Sequence, residues 1–136
     1  MKIAVSSYSF SALLGTGELT QLSCIAKAKE LGFDAIEFVD MLPHDGSTPE
    51  EYARTLRAEC ERLSMPISNY TFWAELVNCP DLSAELERVK RQIDIAEILG
   101  VKSVRHDAPG GFAADKRGFR SFDDALPILI PACREL

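Results

Sequence analysis

The chain has 136 residues, of which 46% are hydrophobic and 26% are charged. This composition is typical of one small globular domain, and it excludes an intrinsically disordered chain, a collagen-like repeat and a disulfide mini-protein. No run approaches the roughly 18 apolar residues of a membrane span, and residues 1–6 lack the apolar core of a signal peptide. Fifteen Lys and Arg against 21 Asp and Glu give a net charge of −6, which disfavours binding to a nucleic-acid backbone. We therefore expect a cytoplasmic protein without nucleic-acid or membrane partners.

Four cysteines are spread along the chain, at Cys24, Cys60, Cys79 and Cys133. No two of them have the short spacing of a zinc knuckle, which argues against a structural zinc site. Cys24, Cys60 and Cys133 fall on apolar faces of predicted helices, where a free thiol packs as a small hydrophobic group. The sequence therefore predicts reduced, buried cysteines.

Strands and helices alternate along the chain, and the hydrophobic pattern predicts four of each. The predicted strands cover residues 2–6, 34–38, 66–70 and 102–106. The predicted helices run between Glu18 and Gly32, from Pro49 to Leu63, from Asp81 to Leu99, and from Ser121 to the chain end. Each of the first three helices ends in a recurring pair, Leu31-Gly32, Leu63-Ser64 or Leu99-Gly100. The repeat length is close to 34 residues, as expected for successive βα units.

Helix-end signals support these limits. Gly32 and Gly100 fit the left-handed position that closes a helix. Ser47 or Thr48 is placed to cap the second helix, with Pro49 at its first helical position.

Apolar residues at helical spacing predict which faces of the first and last helices are buried. The predicted face of the first helix comprises Leu19, Leu22, Ile25, Ala26 and Leu31. The predicted face of the last helix comprises Leu126, Leu129, Ile130 and Cys133. Pro127 and Pro131 indicate that this last helix starts late or is kinked.

The βαβαβαβα order predicts an α/β fold with parallel strands joined by right-handed helical crossovers. Either an open doubly wound sheet or part of a (β/α)8 TIM barrel fits this order. A complete barrel takes roughly 250 residues, about twice the length of this chain. We therefore expect residues 1–136 to be the amino-terminal half of a barrel, four βα units with the helices outside, truncated within the fourth helix.

In both architectures ligands bind at the carboxyl ends of the strands, and polar and aromatic residues concentrate there. The candidate catalytic residues are Glu37, near the end of the second predicted strand, and His106, the last residue of the fourth. The candidate substrate-binding residues are Tyr8, His44, Asn69, Tyr70, Trp73, Arg105 and Asp107.

Each candidate also has a structural interpretation. Glu37 either acts on a ligand or forms an ion pair with Arg105 or Lys2, because a carboxylate in a barrel mouth is costly unless it is paired. His106 either transfers or orients a proton or is a structural histidine. His44 either binds substrate or is an exposed turn residue.

Two further segments allow alternative interpretations, the aromatic residues at and beyond the end of the third predicted strand and a basic loop near the carboxyl end. Tyr70, Phe72 and Trp73 either stack on a sugar or pack over the core. The loop that begins at Pro109-Gly110-Gly111 ends with three basic residues, Lys116, Arg117 and Arg120. It either holds a phosphate or is a solvated loop.

Five segments resemble the sugar phosphate isomerase/epimerase family, which has the xylose isomerase-like (β/α)8 barrel. They are residues 1–6, the run ELGFDAIEF at 30–38, Asn69-Tyr70, the run DIAEILGV at 94–101, and Arg105-His106-Asp107. The resemblance covers essentially the whole chain but only the amino-terminal half of the family's length.

The resemblance implies isomerisation or epimerisation of a small sugar, sugar phosphate or polyol by proton transfer through an enediolate. It also implies a divalent metal ion (Mn, Mg, Co or Zn), held by two glutamates, an aspartate and a histidine on strands five to eight. No metal ligand can be assigned in this chain, so Glu37 and His106 would shape and orient the substrate, and the chain alone would be inactive. The implied partners are the substrate and either a second copy of the chain or a missing carboxyl-terminal half, because open sheet edges favour pairing.

Two other functions remain open. One is a non-catalytic half-barrel module that folds by self-association. The other is a metal-dependent endonuclease of the same barrel superfamily, which the net charge of −6 disfavours.

Overall fold

A computed structural model describes residues 1–107, 111–113, 118–119 and 121–136. The chain divides into two compact units, the first formed by residues 1–72 and 94–105, and the second by residues 73–93 and 106–136. Of the residues assigned to the basic loop from the sequence, Pro109, Gly110, Lys116, Arg117 and Arg120 lie outside the described residues.

Four parallel strands form one sheet in the order β1-β2-β3-β4. Their ranges are β1 Ala4–Ser6, β2 Ala35–Val39, β3 Ile67–Phe72 and β4 Val104–His106. The pairs β1–β2 and β2–β3 are parallel, and the Tyr70 amide donates to the Ser103 carbonyl at 3.5 Å to join β3 to β4. The predicted α/β class and its parallel strands are therefore confirmed.

Five α-helices accompany the strands. They are α1 Ser11–Thr16, α2 Gln21–Glu30, α3 Pro49–Arg62, α4 Leu82–Leu99 and α5 Leu126–Glu135, with 3-10 turns at Ser7–Phe10 and Phe122–Ala125. The sequence analysis did not predict the short helix α1. No helix among the described residues has the length and apolar character needed to cross a membrane.

The start of α3 shows why its limits were predictable. The Thr48 hydroxyl accepts from the Glu51 amide at 3.2 Å, and the Glu51 carboxylate accepts from the Thr48 amide at 2.9 Å. This reciprocal pair satisfies two amides that have no partner within the helix. Pro49 occupies the first turn, where its missing N–H costs nothing.

The buried face of α2 differs from the predicted one. Gln21, Cys24, Ile25 and Ala28 are buried, whereas Leu31 is 55% exposed. The helix begins at Gln21 after a cap at Thr20, so the buried positions follow the spacing i, i+3, i+4, i+7 from Gln21. Leu31 is the C-cap residue and lies past that face.

Two of the predicted core cysteines are buried and the third is not. Burial raises the pKa of the Cys24 thiol to about 11 and that of Cys60 to about 12. Cys133 is exposed, so its prediction is wrong. The helix α5 buries the predicted Leu129 together with Ala132, whereas Ile130, which was also predicted to be buried, is 45% exposed.

Helix ends close as predicted, with Gly32 at φ 84° and Gly100 at φ 75°. A basic side chain from the preceding helix also binds the carboxyl end of α3 and of α4, since Lys29 donates to the Leu63 carbonyl and Arg57 Nη1 donates to the Ile98 carbonyl at 3.1 Å. A cation at the carboxyl end of a helix is favourable because unpaired carbonyls concentrate negative charge there.

Candidate functional site

Glu37 on β2 lies at the centre of a cluster of polar side chains. Its Oε1 accepts from Thr71 Oγ1 at 2.7 Å and from Asn69 Nδ2 at 3.0 Å. Ser6 on β1, which pairs with Glu37 across the sheet, also forms a side-chain hydrogen bond with it. Three strands therefore converge on one half-buried carboxylate, and we call Ser6, Glu37, Asn69 and Thr71 the Glu37 cluster.

A shift in strand register places Asn69 and Thr71 on the same face as Glu37. Ile36 pairs with Ile67, but the next residue on β2, Glu37, pairs with Asn69, so β3 contains one extra residue, Ser68. Such an extra residue is a β-bulge, a feature common beside binding sites because it redirects the side chains that follow. In β3 it brings two hydrogen-bond donors to the carboxylate.

The charge of Glu37 is stabilised by these partners. Burial raises its pKa, but the hydrogen bonds from Thr71, Asn69 and Ser6, together with the positive charge of Arg105, outweigh that effect and lower the pKa below its ordinary value. Glu37 is therefore ionised at neutral pH. Neutral donors account for more of this stabilisation than Arg105 does, so the simple ion pair that the sequence offered as an alternative is not what holds Glu37.

The orientation of Asn69 is fixed by a residue near β4. The Ser103 hydroxyl donates to Asn69 Oδ1 at 2.9 Å, which directs the Asn69 amide group toward Glu37 and Thr71. The sequence analysis missed Ser103 and Thr71. Thr71 could have been found, because Asn69 and Thr71 alternate with the apolar Tyr70 and Phe72 at the period of a strand.

The aromatic residues at the end of β3 and directly after it separate into two environments. Tyr70 and Phe72 are 0% and 1% exposed and their rings pack 5.5 Å apart, so the core alternative describes both. Tyr70 therefore has no surface with which to contact a sugar, and its predicted substrate contact has no support. Trp73 is 52% exposed, with its carbonyl accepting from Arg88 Nη2 at 2.5 Å.

His106 and Asp107 are half-buried and lie in the second unit. The ring nitrogen Nδ1 of His106 is 3.1 Å from the Asp107 carbonyl. Both residues border a groove of about 310 Å³ whose other walls are apolar side chains between Phe122 and Cys133. This position gives His106 a fixed neighbour but leaves its catalytic role a prediction.

Tyr8 and His44 are both exposed. Tyr8 is 70% exposed and borders a cleft beyond the ends of β1 and β2. The exposure of His44 agrees with the exposed-turn alternative, and its ring meets Tyr52 edge-on at 5.7 Å. Arg105 is also exposed and acts on Glu37 through its charge.

The described residues do not provide a metal centre. Within them, no three His, Cys, Asp or Glu side chains come together in a way that could hold an ion. The chain's own residues therefore do not fit the metal that the family resemblance implies, and we assign no chemical step to one.

Comparison with known proteins identifies the fold family. The family model described as xylose isomerase-like TIM barrel matches residues 25–136, which is most of the chain. The chain belongs to the xylose isomerase-like TIM barrel family. This membership confirms the resemblance carried by the sequence segments.

A solved structure with this fold is also similar. It is the apo form of the 3-keto-D-glucoside 4-epimerase YcjR from E. coli, with a TM-score of 0.62 and 17% sequence identity. The match covers 84% of this chain and 44% of the epimerase, so the chain spans less than half the length of that structure. A search of curated proteins found no match.

Proposed function

We propose that this chain forms part of the substrate-binding wall of a sugar isomerase or epimerase. The reaction is proton transfer, through an enediolate, at a carbon beside the carbonyl of a small sugar, sugar phosphate or polyol derivative. Membership of the xylose isomerase-like family and similarity to a structure named as a sugar epimerase support the reaction class. The observation that carries the role of this chain is the ionised, hydrogen-bonded Glu37 at the carboxyl ends of the strands.

The low pKa of Glu37 favours a binding role over a proton-transfer role. A general base works best when its pKa lies near the operating pH, and stabilising the charged form moves Glu37 away from that range. An ionised carboxylate is an acceptor at both oxygens and has about four lone-pair positions. Three side chains of the described residues donate to Glu37, which leaves acceptor capacity for a hydroxyl of the substrate.

Titration of the ¹⁵N-labelled chain with methyl β-D-glucopyranoside, followed by NMR, tests this binding role. We expect shifts of the Glu37, Asn69 and Thr71 amides. Glu37→Gln should weaken the affinity about tenfold, because a hydrogen bond to a charged group is worth roughly 1.5–3 kcal/mol. The matched control is Glu97→Gln, at an exposed position on α4. Equal affinity of the Glu37→Gln variant and the wild type would contradict the proposal.

We further propose that the 136-residue chain is inactive alone, because its low-pKa carboxylate is a poor base. The chain is incubated with D-xylose and D-fructose in D₂O, and deuterium incorporation at the carbon beside the carbonyl is followed by NMR. We expect deuterium incorporation with the chain to be no faster than in buffer without protein. Incorporation faster than in buffer, and lost in Glu37→Gln, would show that Glu37 is a base in this chain.

A further inference from the structure

A second cleft lies just beyond the ends of β1 and β2, in the same compact unit as the Glu37 cluster. It measures about 350 Å³, at the lower end of the size range of small-molecule sites. Its walls come from the 3-10 turn after β1, from α1 and from the residues that follow β2. That volume suits one ring-sized group.

Buried polar side chains hold the walls of this cleft in place. Gln21 is 1% exposed, and its Nε2 donates to the carbonyls of Val39 at 3.0 Å and Asp40 at 2.8 Å. Its Oε1 accepts from the Leu42 amide at 2.9 Å. The hydroxyl of Ser7, also 1% exposed, accepts from the Val39 amide at 2.9 Å. These four hydrogen bonds fix the turn in a conformation that holds Asp40 at a φ of 49°, which is costly for a residue other than glycine.

The lining of the cleft combines apolar surface with a carboxylate. Tyr8 is 70% exposed and Leu42 is 50% exposed, so both present large apolar surfaces to solvent. Asp40 supplies hydrogen-bond acceptors, and Gly15 leaves its side of the cleft open because nothing lies within 4 Å of the place a Cβ would take. An aromatic ring beside a carboxylate suits a hydroxylated ring, whose C–H face packs on the tyrosine while a hydroxyl donates to the acid.

The residues of the cleft follow those of the Glu37 cluster closely in sequence after both β1 and β2. Ser6 directly precedes the cleft residues Ser7 and Tyr8, and Glu37 precedes Asp40 by three residues. Since β2 ends at Val39 and an extended strand rises about 3.3 Å per residue, the Cα atoms of Glu37 and Asp40 are separated by at most about 10 Å. A ligand of two linked rings spans that distance.

We propose that the cleft between Tyr8 and Asp40 binds a second ring of the substrate, next to the sugar held at Glu37. The substrate class is then a glycoside or disaccharide in place of a free monosaccharide. This inference rests on the proposed function, since it takes Glu37 as the position of the first sugar.

NMR titration of the chain with two probes tests the proposal. Methyl β-D-glucopyranoside has one ring, and cellobiose has two. Both should shift the Glu37 and Asn69 amides, and cellobiose alone should also shift Gly15 and Leu42. Cellobiose should bind about fivefold more tightly, which is the size of a typical aromatic packing contribution. In Tyr8→Ala the ratio of the two affinities should fall to about one.

The matched control is Ser9→Ala, an exposed position beside Tyr8 that does not line the cleft; it should keep the fivefold ratio. Suppose that both probes shift Glu37 with equal affinity, and that neither shifts Gly15 or Leu42. The second-ring site is then refuted while the proposed function stands. If cellobiose shifts Gly15 and Leu42 without affecting Glu37, the cleft binds a sugar ring and the proposed function fails. If neither probe shifts either group, both proposals are refuted.

Discussion

The chemistry of Glu37 depends on its neighbours. Partial burial alone would favour the neutral acid, but two neutral donors at 2.7 and 3.0 Å, with Ser6 and the charge of Arg105, favour the carboxylate. The sequence identified Glu37 from its place near the carboxyl end of a predicted strand, and it also identified Asn69. It did not show that neutral hydrogen bonds would outweigh burial, because that balance depends on the register of β3.

The Glu37 carboxylate predicts a specific pH dependence of stability. A carboxyl whose pKa is lower in the folded state stabilises the fold above its unfolded pKa, and this contribution is lost as the pH falls through the folded pKa. Glu37→Gln should therefore lower the urea midpoint at neutral pH, and its difference from wild type should shrink once the pH falls below the unfolded glutamate pKa of about 4.3 and vanish below the lower folded pKa. Glu97→Gln should show no such pH-dependent difference. A difference that grows toward low pH would contradict the assignment.

Three of the four thiols should differ strongly in reactivity. Burial raises the pKa of Cys24 to about 11 and of Cys60 to about 12, so their reactive thiolate forms are scarce at neutral pH. Cys133 is exposed and should react first with Ellman's reagent, whereas Cys24 and Cys60 should react only on unfolding. Cys133→Ser should remove the fast phase. Persistence of that phase in Cys133→Ser would contradict the burial pattern of α5.

Two helix-closing glycines offer a matched comparison. Both have positive φ, so alanine at either should cost about 1–2 kcal/mol of unfolding free energy. A Cβ at Gly100 would also lie 3.2 Å from the Arg57 guanidinium, whereas nothing lies within 4 Å at Gly32.

Gly100→Ala should therefore cost about 1 kcal/mol more than Gly32→Ala, because displacing Arg57 weakens its hydrogen bond to the Ile98 carbonyl. Urea unfolding measures both costs. The excess should disappear in an Arg57→Ala background. Equal costs in the wild-type background would contradict this role for Arg57.

The sequence predicted elements well where the signal was local. The cap at Thr48 and the glycines at 32 and 100 act within a few residues, and the structure confirms them. The extra residue Ser68 depends on pairing with β2, so β3 was predicted to end at residue 70, before Thr71. The exposure of Cys133 likewise depends on which face of α5 is packed, and that helix contains two prolines that obscure its periodicity.

At the scale of the whole molecule, the family was predicted from short sequence segments that specify the βα repeat. The segments at 30–38 and 94–101 contain a helix end, a left-handed glycine and the residues that lead into the next strand. Such runs therefore indicate the fold of the chain and not its substrate. The substrate depends on side chains that meet across strands and loops, which is why Ser103 and the walls of the Tyr8 cleft did not emerge from the sequence.

The net charge of −6 predicts no useful affinity for DNA. Fluorescence anisotropy with a labelled duplex containing an abasic site should show no binding at micromolar protein and physiological salt. A basic DNA-binding protein added to the same duplex serves as the positive control and should raise the anisotropy. Binding that weakens steeply with added salt would support the endonuclease alternative instead of a sugar enzyme.

The central claim is that Glu37 is an ionised acceptor for sugar hydroxyl groups. The most direct test is the ¹³C NMR titration of the Glu37 carboxyl carbon, without and with saturating methyl β-D-glucopyranoside. The account predicts a pKa below the ordinary glutamate value in the free chain and a still lower pKa with sugar, because hydroxyl donors stabilise the charged form. A pKa at or above the ordinary value, or one that sugar leaves unchanged or raises, would contradict it.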